Sequence, residues 1–219
     1  MLAVLPALML GGCGGVNSYL ASNVQTVEMY HIFDVKTAAN TALVVKAATD
    51  GLTQNTNGIQ GAMPLQLGAE VPSKPGRFKI VNLAGALGGQ GSGMVQLLSM
   101  QQGGGIAMKV ANCDGAVWNS KAQRNITGSN NLTLYSCLYK YKDGYNLNMY
   151  AVFTKEEGGL YQVSRVVANS IVGTPEQWVN KTIMDTARAI ERATGSAVVH
   201  LEGQPDLGDL PAVDKLSSR

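Results

Sequence analysis

The chain has 219 residues and a formal net charge of +2, which is enough length for one large domain with a real core. Only 15% of the residues are charged against 45% hydrophobic, and no cluster of Lys and Arg occurs, which excludes an electrostatic binder of nucleic-acid backbone. Lys140 and Lys142 alternate with Tyr139 and Tyr141. That alternation reads as one exposed strand face rather than a basic-aromatic patch.

Residues 2–10 (Leu-Ala-Val-Leu-Pro-Ala-Leu-Met-Leu) form an apolar run. It is far shorter than the roughly 20 residues that span a bilayer, and it has the length of a signal-peptide hydrophobic region. Gly11, Gly12, Cys13, Gly14 and Gly15 follow. A peptidase threads extended backbone through its site, so small residues beside the cut are a physical requirement. Leu10-Gly11-Gly12-Cys13 resembles the lipobox of bacterial lipoproteins: an aliphatic residue, two small residues, then an obligatory Cys. The resemblance implies that residues 1–12 are a signal peptide and that Cys13 is the lipidation site. It also implies that Cys13 is acylated at its new amino terminus and that residues 13–22 are a lipidated tether. Two or more acyl chains anchor stably, because each buried CH₂ contributes about 0.8 kcal/mol. Gly14, where an Asp would retain the protein at the inner membrane, implies sorting to the outer membrane, with the domain at its periplasmic face.

Beyond the tether, the β-rich stretch 24–35 predicts a strand. Residues 37–50 predict an amphipathic helix with Ala38, Ala42, Val45 and Ala48 on one stripe and Gly51 as its stop. Residues 52–76 read as a long connection and 77–83 as a second strand. A Gly-rich stretch, 85–105, is interrupted by an apolar segment at 94–100 that suits a short helix. Residues 106–111 predict a further strand, and 115–120 continue the sheet after a turn at Asp114-Gly115. Three β-rich runs, 132–141, 145–154 and 160–168, are separated by Lys142-Asp143-Gly144 and Glu156-Glu157-Gly158-Gly159 and read as an antiparallel meander. In the middle run Tyr145, Leu147, Met149, Ala151 and Phe153 share the core face, and Asn146 and Asn148 point away.

Thr174-Pro175-Glu176-Gln177 combines an N-cap, Pro at the first helical position and Gln at N3, which is a capping box. Val179, Ile183, Ala187 and Ile190 then form an apolar stripe, and Gly195 ends the helix. Residues 196–201 suit one more short strand. The domain is expected over 23–202 and a solvated tail over 203–219. The fold class is α+β: an antiparallel sheet with a C-terminal meander, packed by helices on one face. In element order it resembles helix-grip domains, which occur among accessory lipoproteins of outer-membrane assembly.

With Cys13 lipidated, Cys113 and Cys137 remain, and an even remainder in an exported chain suggests one disulfide. A Cys nucleophile or a metal pair is the alternative, although the spacing matches no zinc pattern. His31 and His200 have no acid or thiol partner in sequence and read as structural. Asp185 and Glu191, beside Arg188 and Arg192, read as a solvated helix face. Asn125, Asn131 and Asn180 begin Asn-X-Ser/Thr triplets, which in a bacterial host imply exposure and nothing more. Gly89-Gln90-Gly91-Ser92-Gly93 suits an anion-binding loop but lacks the Lys-Ser/Thr of a P-loop, so a surface loop is expected. No HExxH, GxSxG or EF-hand spacing occurs. The expectation is therefore a non-enzymatic envelope lipoprotein without cofactor or metal, held to the membrane by its lipid anchor and acting on an envelope protein partner. The alternative is a binder of a lipid or small apolar ligand in a cavity between sheet and helix, suggested by Met149, Met184, Tyr135, Tyr139 and Tyr150.

Overall fold

The computed structural model describes residues 23–65, 70–82, 109–126, 129–157 and 173–206. Strand β1 (Asn23–Lys36) leads into helix α1 (Thr41–Thr53) and the short strand β2 (Gly58–Ala62). Strands β3 (Lys79–Asn82), β4 (Lys109–Asn112), β5 (Trp118–Ile126), β6 (Ser129–Tyr141) and β7 (Gly144–Glu157) follow, then helix α2 (Pro175–Thr194) and strand β8 (Val198–Gln204). Six strands form one antiparallel sheet in the order β2-β5-β6-β7-β1-β8, and β3 pairs with β4 in a separate two-stranded ribbon. The architecture is the expected α+β one, with both helices against one face of the sheet.

Period-2 alternation decides the inner face. Met29, Phe33 and Val35 of β1, Leu132, Leu134 and Leu138 of β6, and Tyr145, Leu147, Met149, Ala151 and Phe153 of β7 all join one buried cluster. The helices cover it with Val44, Ala48 and Leu52 of α1 and Val179, Ile183, Ala187 and Ile190 of α2. Fully burying an aliphatic side chain contributes roughly 1.5–3 kcal/mol, so this layer carries most of the stability. The capping box of α2 is formed: Gln177 N donates to Thr174 Oγ1 at 3.3 Å and Thr174 N donates to Gln177 Oε1 at 2.9 Å. Gly195 ends the helix in the left-handed region at φ +66°.

Several expectations are corrected. Helix α1 starts four residues later than expected, at Thr41, because Asn40 accepts from Leu43 N as its N-cap. Its buried face is Val44, Ala47, Ala48, Gly51 and Leu52, while Ala38 and Ala42 are exposed. Gly51 does not stop the helix; a Cβ there would lie 2.5 Å from Thr186 Cα, so it is the point where α1 and α2 touch backbone to backbone. The long connection contains β2, an edge strand. Strand β8 runs on to Gln204, past the expected start of the tail. The slot beside β7 is filled by β1, paired along its whole length. The run at 160–168, the Gly-rich stretch with its segment at 94–100, and the loop 89–93 lie outside the described residues.

Candidate functional site

The outer face of the sheet is not left to water. Asn146 and Asn148, expected to point away from the core, are buried, because the ribbon and its flanks lie over them. Phe78 N donates to Asn148 Oδ1 at 3.3 Å, and Asn148 Nδ2 donates to Asn146 Oδ1 at 2.5 Å. The Phe78 ring packs 6.0 Å from both Tyr30 and Tyr150. Gly76 lies against Tyr139, where a Cβ would come within 2.5 Å of the ring. A second, smaller core results, made of Ile32, Phe78, Ala116, Cys137, Tyr139, Tyr150 and Val152.

Two fasteners hold the ribbon there. Cys113, just after β4, and Cys137 of β6 stand at disulfide distance, with Cα atoms 5.4 Å apart. Glu28 of β1 accepts from Lys109 Nζ of β4 at 2.5 Å and from the Tyr150 hydroxyl at 2.8 Å. Burial alone would raise the Glu28 pKa, but these two hydrogen bonds and the Lys109 charge outweigh it and hold the carboxyl below its usual value. Burial and the same carboxylate push the Tyr150 phenol far up, so it stays a donor.

Register places two rows of side chains across this face. One row runs Gln60, Lys121, Tyr135, Tyr150, Tyr30, and the next runs Ala62, Asn119, Cys137, Asn148, Ile32. The ribbon covers the Tyr150 and Cys137 end of both rows. It leaves the β2 and β5 end open as a cleft of about 610 Å³. Gln60, Asn119, Lys121 and Tyr135 of the sheet line it, together with Val81, Val110, Ala111 and Asn112 of the ribbon. Burial raises the Tyr135 pKa, so its hydroxyl is neutral. Tyr135 also stacks on Tyr150, centroids 6.1 Å apart. The volume falls within the range of small-molecule sites.

A second constellation lies on the inner face at the opposite edge of the sheet. His31 Nδ1 and His200 Nε2 are 3.1 Å apart in a hydrogen bond between rings. His31 is fully buried and sits on Gly203 of β8, where a Cβ would come within 2.1 Å of Nδ1. Burial, with His200 beside it, lowers the His31 pKa to about 4, so the ring is neutral at pH 7. Among the described residues no three His, Cys, Asp or Glu side chains group as a metal site.

Of the residues singled out in sequence, Cys113 and Cys137 come together, and so do His31 and His200, for which the sequence offered no partner. Cys13 lies outside the described residues. Asp185 is not on a solvated face: it is buried and accepts from Asn55 Nδ2 at 2.8 Å, Lys181 Nζ at 2.6 Å and Arg188 at 3.4 Å. Asn180 is likewise buried, against the exposure expected of it. Met149 is fully buried in the cluster between sheet and helices, and the cleft lies on the other face of the sheet. Lys121 was missed, although Trp118, Ala122 inward and Asn119, Lys121, Gln123 outward alternate through it. No family model, no curated protein and no solved structure matches this chain.

Proposed function

We propose that this chain is a non-enzymatic lipoprotein of the bacterial cell envelope, anchored through Cys13 at the periplasmic face of the outer membrane, and that the open end of its outer sheet face is a binding surface for an envelope partner or ligand. The observation that carries the reading is the Cys113–Cys137 pair, which fastens the β3–β4 ribbon beside the cleft. Such bonds persist in oxidising compartments such as the periplasm. The lipobox-like Leu10-Gly11-Gly12-Cys13 supports the anchor. Among the described residues no helix is long and apolar enough to cross a membrane, and the proposed attachment is through acyl chains. The cleft lining of amides, one ammonium and apolar side chains is the composition of a site that holds a molecule.

The test uses an alkyne fatty acid and a photo-crosslinking residue in living cells. Cys13 should take the label, and Cys13→Ala should lose both the label and the membrane fraction. A crosslinker at Asn119, in the cleft, should capture a defined neighbour or ligand, and one at the exposed Arg192 of α2 should not. Label retained in Cys13→Ala refutes the anchor, and equal capture from both positions refutes the binding face.

A further inference from the structure

We infer that the cleft between the β3–β4 ribbon and strands β2, β5 and β6 binds a small anionic amphiphile, a molecule with a single carboxylate or phosphate head and an apolar chain, with Lys121 taking the head. The inference rests on the reading of this face as a binding surface and names the chemistry of its ligand.

Charge points first to an anion. Among the described residues Lys121 is the single cation lining the cleft, and no carboxylate lines it. Of the two lysines of the ribbon, Lys109 is already paired with Glu28 and Lys79 does not line the cleft. Lys121 is half-buried, and among the described residues its ammonium has neither ion pair nor hydrogen bond. An anionic group entering the cleft gives this unpaired cation a charge-assisted partner. The row through Lys121 supplies further donors. Gln60 lies directly across on β2 and Tyr135 directly across on β6, with Asn119 two residues away on the same face of β5. An amide N–H and the neutral Tyr135 hydroxyl can each donate to a head-group oxygen that Lys121 attracts.

The apolar half follows from the opposite wall. Val81, Val110 and Ala111 of the ribbon line the cleft, and so does Tyr135. A fully hydrated ion such as free phosphate or acetate gains nothing from these walls. A chain attached to the anion buries apolar area there, at about 25 cal/mol per Å². One cation opposite an apolar wall therefore selects a molecule that carries both features. Burial of the outer face under Phe78 and the cystine closes the cleft at one end, so the ligand enters from the β2 edge.

The experiment is calorimetric titration of the full chain carrying Cys13→Ser, with the Cys113–Cys137 bond verified by mass. The probes are dodecanoate, dodecyl phosphate, dodecanol, acetate and inorganic phosphate, all below micellar concentrations. One or both of the charged C12 probes should bind one per chain, at least tenfold tighter than dodecanol. The tighter of the two identifies a fatty-acid or a phospholipid-like source. Lys121→Gln should bring the anions down to the dodecanol level with an unchanged melting temperature, and Tyr135→Ala should weaken charged and uncharged probes alike. Equal affinity for dodecanol, indifference to Lys121→Gln, or equally tight binding of acetate or phosphate each overturns the inference. If no probe binds while the Asn119 crosslinker still captures a neighbour in cells, the ligand class is wrong and the binding face stands.

Discussion

His31 couples the fold to pH. Its pKa falls from 6.5 to about 4, first because the ring is buried, then because His200 lies against it, with Asp206 partly opposing. In the unfolded chain the ring takes up its proton near pH 6.5, whereas in the fold it does so only near pH 4. Between those values the unfolded state binds more protons, so stability rises with pH and is lost as pH falls through the window. The full effect is at most about 3 kcal/mol. Glu28 works lower: its depressed pKa contributes stability that is lost only as pH falls below the ordinary carboxylate value of 4.5. Urea unfolding at pH 7, 6 and 5 therefore isolates the histidine. Wild type should lose stability across that series, and His31→Phe, which removes the proton site but keeps an aromatic ring, should be nearly flat. An unchanged slope in His31→Phe would mean that another group titrates. None of this was legible in sequence, since His31 and His200 are 169 residues apart and period-2 alternation gives a side chain its face but not its neighbouring strand.

At the scale of elements, legibility followed locality. The start and stop of α2 depend on contacts within four residues, and Thr174, Pro175, Gln177 and Gly195 act as their positions predict. The meander strands β6 and β7 depend on alternation and a turn, and Gly144 takes the positive φ, +151°, that the turn into β7 requires. Strand β2 carries neither signal, because Gly58–Ala62 is an edge strand with four of its five residues exposed. Gly51 misled for a physical reason. A glycine near the end of a helix is commonly a stop, but here α1 continues to Thr53 and the missing Cβ lets Thr186 of α2 approach. Gly51→Ala should gain up to about 1 kcal/mol of intrinsic helix propensity. It should lose more than that by driving backbone from backbone, for a net destabilisation of about 1–3 kcal/mol. Denaturant unfolding reads the sign directly, and a stabilised Gly51→Ala would mean that the two helices do not meet there.

Among the described residues the six-stranded sheet is buried on both faces at its centre, which accounts for the absence of charge from residues 145–153 of β7. The inner face was legible, because Tyr145, Leu147, Met149, Ala151 and Phe153 alternate cleanly. Burial of the outer face was not, because Asn146 and Asn148 look like solvent-facing residues unless the ribbon above them is known. The two layers differ in how they are held. The inner one is continuous hydrophobic packing against two helices. The outer one is a small cluster pinned by the Cys113–Cys137 pair and by Glu28. A cross-link closing a loop of 24 residues contributes about 3.5 kcal/mol in the chain-entropy model. Replacing both cysteines, Cys113→Ser with Cys137→Ser, should lower global stability by about that amount. The loss should not be uniform, because few contacts besides the cystine tie β4 to the sheet. Amide hydrogen exchange in β3 and β4 should accelerate in the native state well before that in β7 and α2, as expected where a local opening costs less than global unfolding. Binding at the cleft should weaken in parallel, since its ribbon wall would no longer be fixed. If exchange in the ribbon and in β7 rose together, the two layers would be one cooperative unit and the cleft wall would owe its position to the whole fold rather than to one bond.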